Sequence, residues 1–145
     1  MDIERIHKAL TGGETTRVEF KSCRDKVSNS VYDTVCSFSN HSGGLIILGF
    51  DDDMNLIGVN KNASVNLKKN IINTLGNKEV FFPKLTIEPE IEEYDGKTII
   101  VIDVPVSQYP VRYKNKYFDR VGDADMDITD NMELVLGLFE RKNPH

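Results

Sequence analysis

The stretch Gly44–Phe50, GLIILGF, constrains this chain more than any other. It carries no charge and is bounded by turn formers, Asn40-His41-Ser42-Gly43 before it and Asp51-Asp52-Asp53 after it. A short, unbroken apolar run between such boundaries suits a strand buried on both faces, at the centre of a sheet. The neighbouring segments must then supply the layers that cover it.

They have the right periodicities. A short helix is predicted from Asp2 to Leu10, stopped by Gly12-Gly13, with a first strand over residues 16–22. Val27, Val31, Val35 and Phe38 recur at helical spacing, so residues 27–40 read as an amphipathic helix that Asn40 and Gly43 terminate. After the central strand, Asp51–Asn55 reads as a turn and Leu56–Val59 as a short return strand. Leu67, Ile71 and Leu75 mark one face of a further helix over residues 66–75. Asp95-Gly96 between two alternating runs predicts a hairpin, with Pro89 holding its first strand at a sheet edge. A second hairpin turns at Asn115. A last helix is predicted over about residues 130–141, capped by Asp130 with Glu133 three residues on, its core stripe Met132, Val135, Leu136 and Phe139. The order predicts an α+β (mixed α/β) fold, one compact domain over residues 1–145 with a largely antiparallel sheet packed by helices.

Composition narrows the function classes. Hydrophobic content of 39% and charged content of 28% are those of an ordinary globular protein, and 145 residues suit one core rather than two. No apolar run approaches the ~20 residues of a membrane span. The start MDIERIHKAL lacks the basic end and apolar core of a signal peptide, so the expected compartment is the cytoplasm. Cys23 and Cys36 have neither metal-ligand nor disulfide-framework spacing and read as buried or incidental thiols. A net charge of −5 argues against a protein that grips nucleic acid over its whole surface. A local basic footprint remains open, because Arg17, Lys21 and Arg24 cluster in one segment and Arg112, Lys114, Lys116 and Arg120 in another.

The segment Glu14–Ser22, ETTRVEFKS, carries the chemistry-bearing pattern. In a strand, Glu19 and Lys21 project from one face, roughly 7 Å apart. Such a pair suits a solvated sheet surface. It equally suits a site in which carboxylates bind Mg²⁺ or Mn²⁺ while a lysine steadies a phosphate. Glu14 lies an odd number of residues from Glu19, so the two carboxylates share a face only if Glu14 precedes the strand or a bulge intervenes. The three aspartates after the central strand are either a hydrophilic turn or the source of a third carboxylate. Strand alternation allows Asp51 or Asp52, not both. The basic and aromatic residues from Arg112 to Arg120 fit a hairpin with one apolar face, or an RNA-contacting surface with aromatics for stacking.

Taken in order, ETTRVEFKS, CSFSNHSGG, LIILGFDDDMNLIGV and VIDVPVSQYPVRYKNKYFDRVGD resemble the Schlafen-type Alba-like domain family, from about residue 14 to 122. Ser37 and Phe50 stand where that pattern has alanine and valine. The resemblance implies a three-carboxylate site that cleaves structured RNA, tRNA and rRNA included, with Mg²⁺ or Mn²⁺. Carried onto this sequence, the metal-binding and catalytic residues are Glu14, Glu19 and Asp52, with Lys21 as the neighbouring cation. The nucleic-acid contacts expected around them are Arg17, Lys21, Arg24, Arg112, Lys114, Lys116 and Arg120. A domain of this kind that binds nucleic acid without cleaving it, in a regulator or defence protein, is the alternative, and a protein-interaction domain is a third. Cys23, Cys36, His7, His41 and His145 show no zinc spacing, so no zinc is expected. Relatives with two such lobes suggest that a single copy acts as a homodimer. No phosphate-loop motif is present, and helix termination with close strand packing accounts for Gly43-Gly44.

Overall fold

The computed structural model describes residues 3–143. Asp2, the first residue of the predicted opening helix, and His145 lie outside them. Two four-stranded sheets enclose a buried helix. The first sheet contains β1 (Val18–Lys21), β2 (Gly44–Leu48), β4 (Glu90–Tyr94) and β5 (Lys97–Val104), in the order β1-β2-β5-β4. β1 and β2 are parallel, with Val18 opposite Leu45 and Lys21 opposite Leu48; the other pairings are antiparallel. The second sheet is antiparallel throughout, in the order β3 (Phe81–Phe82), β6 (Arg112–Tyr113), β7 (Lys116–Val121) and β8 (Ala124–Asp127). The helices are α1 (Ile3–Gly12), α2 (Asn29–Asn40), α3 (Ser64–Leu75) and α4 (Met132–Lys142). None of the described helices is long and apolar enough to cross a membrane.

The expected burial of the GLIILGF strand on both faces is what the structure shows. Ile46 and Leu48 face a core with Val31, Val35 and Phe38 of α2 and Leu67, Ile71 and Leu75 of α3. Leu45 and Ile47 face a smaller core with Ile6 of α1, Phe20, Ile99 and Val101. α2 is the hub. Its residues from Val31 to Asn40 are buried except Asp33, because sheet one covers one side, and Tyr113 and Phe118 of sheet two with the adjoining Val111 cover the other.

Gly43-Gly44 are explained by packing. Gly43 has φ of +75° and its N–H bonds the Phe38 carbonyl at 2.8 Å, closing the end of α2. A Cβ at Gly44 would lie 2.6 Å from the Phe38 ring and 2.8 Å from the Arg17 carbonyl. Gly44→Ala is therefore expected to destabilise the fold by about 1–3 kcal/mol, through overpacking, read as a lower urea midpoint. A midpoint within error of the wild type would show that this contact relaxes freely.

Four sequence expectations need correction. Leu56–Val59 forms only a single bridge, Phe50 to Leu56, because the chain is occupied in turning. Two strands are additional: Phe81–Phe82, too short for a periodic signal, and Ala124–Asp127, whose charged residues mask it. α4 is capped by Asn131, whose side chain accepts from the Leu134 N–H at 3.1 Å, not by Asp130. Its buried residue is Leu138, while Met132, Leu136 and Phe139 are exposed and Val135 is only half-buried. The predicted stripe faces outward because α4 is anchored by its polar end, with Arg141 on Asp119 and Lys142 on the Ser39 and Ser107 carbonyls.

Candidate functional site

Glu14 lies before β1, as a shared site with Glu19 required. The chain leaves α1 at Gly13 (φ +70°) and reverses, with the Thr15 N–H bonding the Val18 carbonyl at 3.0 Å and Thr15 Oγ1 accepting from the Arg17 N–H. Glu14 is exposed. Glu19 is 6% exposed, and on the same face of β1 Lys21 is half-buried.

What holds Glu19 is Arg120, from β7. Its Nη1 donates to Glu19 Oε1 at 3.2 Å and to Asp125 Oδ1 at 2.8 Å. Its Nε and Nη2 donate to the Thr16 and Thr15 carbonyls at 3.1 and 2.8 Å. The guanidinium carbon sits 4.7 Å from the Phe38 ring centroid. Asp125 in turn accepts from the Thr34 and Ser37 hydroxyls of α2. One guanidinium thus serves two carboxylates and two carbonyls, and the hydroxyls of α2 help to satisfy Asp125, the kind of hydrogen bonding that makes buried ions tolerable. It staples β1, the Thr15 turn, α2 and β8 together.

Two expected roles are corrected by that geometry. Arg120 has no exposed side-chain surface, so it cannot reach a phosphate backbone; it is a structural cation. Glu19 faces Arg120 rather than an open pocket. The third expected carboxylate, Asp52, is exposed in a turn that its neighbour builds. Asp51 accepts from the Asn55 and Asp53 N–H groups at 2.8 and 3.0 Å and from the Asn55 side chain at 3.1 Å, and these bonds, the Asn55 N–H first, hold its carboxyl below the usual range. Among the described residues no three His, Cys, Asp or Glu side chains form a group able to hold a metal ion. Glu14 and Asp52 are exposed and Glu19 is held by Arg120, so the three expected carboxylates are not gathered into such a group. Cys23 and Cys36 are buried free thiols, and burial pushes them up to about 11 and about 12, out of nucleophilic range.

A different cluster is brought together. Asp33, the half-buried exception on α2, has its carboxyl raised first by desolvation and then by Asp125, while Lys21, Lys116 and Lys114 act in the opposite direction. Lys21 of β1 and Lys114 and Lys116 of the β6–β7 hairpin thus lie near enough to act on one carboxylate, and Lys116 is also 3.9 Å from Asp127. The hairpin tip is exposed because Lys114 and Asn115, both at positive φ (49° and 65°), make its two-residue turn. Beside it the register sets Phe82, Arg112 and Tyr117 in one lateral row. The Arg112 guanidinium lies 5.1 Å from the ring centroid of Phe82, which is 54% exposed. Phe82 and Asp33 were not singled out by the sequence; a Phe-Phe-Pro triplet and an aspartate within a helix give no signal until other strands arrive beside them. Of the remaining expected contacts, Arg24 is exposed and bonds the Gly58 carbonyl at 3.3 Å, and Arg17 is exposed at the other end of β1 from Lys21.

The family model described as Schlafen, AlbA_2 matches residues 14–129. Among solved structures, the DIP2311 protein from Corynebacterium diphtheriae superposes with a TM-score of 0.62 at 17% identity, over 86% of this chain and 29% of that one. This chain thus spans under a third of that protein. The N-terminal domain of a RecG-related protein from Nitrosomonas europaea, named for an ATP-dependent DNA helicase, gives a TM-score of 0.58 at 23% identity, over 86% of this chain and 88% of that domain. Both likenesses establish the fold alone. No curated protein matches the chain.

Proposed function

This chain belongs to the Schlafen AlbA_2 family, and from that premise we propose that it is a nucleic-acid-binding domain that holds structured RNA on the surface formed by Lys21, Lys114, Lys116, Arg112 and Phe82. The observation that carries the reading is the convergence of Lys21, Lys114 and Lys116, distant in sequence, around Asp33. Lysines at that surface neutralise backbone phosphates and release counterions. The exposed Phe82 ring under Arg112 offers an unpaired base a stacking face. A net charge of −5 disfavours binding over the acidic remainder of the surface, which leaves nucleic acid to local basic patches such as this one.

Scission of that RNA with Mg²⁺ or Mn²⁺, through Glu14, Glu19, Asp52 and Lys21, is the catalytic extension of the proposal. It ranks second because Glu19 is engaged by Arg120. One experiment orders the two. Fluorescence anisotropy with a labelled tRNA-like hairpin should show affinity falling steeply with salt, with a slope of about −2 to −3 for three phosphate contacts. Lys21→Glu/Lys114→Glu/Lys116→Glu should weaken binding by at least about 10-fold and flatten that slope. Asp33→Asn, which removes the opposing charge, should tighten it a few-fold. Unchanged binding in the triple variant would sink the reading. The same RNA incubated with Mn²⁺, with and without chelator, should stay intact. Metal-dependent cleavage lost in both Glu19→Ala and Asp52→Ala would promote the enzyme instead.

A further inference from the structure

A separate concavity lies away from that surface. It opens between α1 and the N-terminal ends of β1 and β2, has a volume of about 630 Å³, and falls within the usual range of small-ligand sites. Val18, on its wall, belongs to the face of β1 that packs toward α1, opposite to Lys21.

Its charges are unbalanced. Arg5, Lys8, Arg17 and Asp103 line it, and Asp103 is already matched by Arg5 through two contacts of 2.6 and 3.3 Å. Lys8 and Arg17 have no ion-pair partner among the described residues, so two exposed cations share one cleft in an acidic protein. Two cations that line one cleft with no ion-pair partner in it repel, an arrangement that an anion relieves. The opposite wall is apolar, with Val104, Pro105 and Val106, the last 56% exposed. The rim at Gly12 and Gly13 is bare backbone: a Cβ there would meet nothing within 4 Å, unlike one at Gly43 or Gly44. Packing therefore does not account for Gly12. The turn that carries Thr15 and Arg17 is tied down by Arg120, which donates to the Thr15 and Thr16 carbonyls.

We infer that this cleft binds a phosphorylated nucleoside unit, with the phosphate between Lys8 and Arg17 and the base against Pro105 and Val106. A bare anion would leave the apolar wall unused, and an uncharged nucleoside would leave the cations unmatched. The unit can come from a free nucleotide or from the 5′-phosphorylated end of a strand.

Isothermal titration calorimetry with AMP, adenosine, and short oligonucleotides bearing a 5′-phosphate or a 5′-hydroxyl tests this on the whole chain. At least one phosphorylated probe should bind with a Kd below about 1 mM, adenosine and the 5′-hydroxyl strand at least about 10-fold more weakly, and Lys8→Glu or Arg17→Glu should remove about as much. AMP binding identifies the free nucleotide as source; binding of the phosphorylated strand alone identifies the strand end. Absence of binding by both phosphorylated probes overturns the assignment, as does binding that both charge reversals leave unchanged in folded protein. Either failure leaves the RNA reading standing, because mononucleotide titration does not involve the lysine surface, and loss of RNA binding at that surface leaves the cleft untouched.

Discussion

Arg120→Ala is expected to destabilise the fold by about 3–5 kcal/mol, because it strands the buried carboxylate of Glu19 and the largely covered one of Asp125. Glu19 and Asp125 would lose their shared cation, and the Thr15 and Thr16 carbonyls their donors. Against a total of about 5–15 kcal/mol for a domain, that is a large fraction. Urea unfolding followed by circular dichroism reads it directly. Arg120→Lys should recover little, since an ammonium cannot span two carboxylates and two carbonyls from one position. Neutralising the acids alongside, as Arg120→Met with Glu19→Gln and Asp125→Asn, should cost less than Arg120→Ala alone. Equal stability of Arg120→Ala and wild type would refute the structural role. So would a folded Arg120→Ala whose RNA affinity and salt slope fall selectively, which would return this residue to the binding surface.

Asn40→Ala should cost about 2–4 kcal/mol, from buried backbone groups left without partners. The Asn40 side chain is fully buried. Its Oδ1 accepts from the Val111 N–H at 2.7 Å, and its Nδ2 donates to the Val111 and Phe118 carbonyls at 2.7 and 2.8 Å. One amide therefore bolts the end of α2 to the second sheet, and no single-function side chain replaces it. Asn40→Asp is the sharper test. It keeps the acceptor but turns a carboxylate oxygen toward two carbonyl oxygens, so it should be at least as damaging as alanine at neutral pH. The folded state would raise that carboxyl above its unfolded value, binding protons more tightly than the unfolded chain. Stability should then recover as pH falls through the raised value and be lost as pH rises through it. An Asn40→Asp variant with wild-type stability at pH 7 would rule this bolt out.

Much of the architecture was legible in the sequence because it rests on local patterns. The apolar run at Gly44–Leu48, the helical spacing of Val31, Val35 and Phe38, and the Asp95-Gly96 turn each report burial or backbone geometry within a few residues. The α4 stripe misled because an apolar helical face signals only that something would cover it; here the anchoring polar end sets the orientation. The site was harder to read for a related reason. Glu19, Lys21 and Asp52 were visible as residues, but whether a carboxylate meets an ion, a phosphate or an arginine depends on what arrives from elsewhere. Arg120 is 101 positions away from Glu19.

By itself, then, the amino-acid order determined the family, the central strand, the buried helix and the turns, since periodicity and turn chemistry act over short distances. Only the tertiary structure decided which charges are neutralised inside the molecule and which remain for a ligand. Arg120 and Lys116 look alike along the chain, yet one is sealed beneath the Thr15 turn and the other stands at a hairpin tip. The physical reason is that an ionic side chain takes its role from its partners and its access to water, and both are set by segments that meet only when the two sheets close on α2.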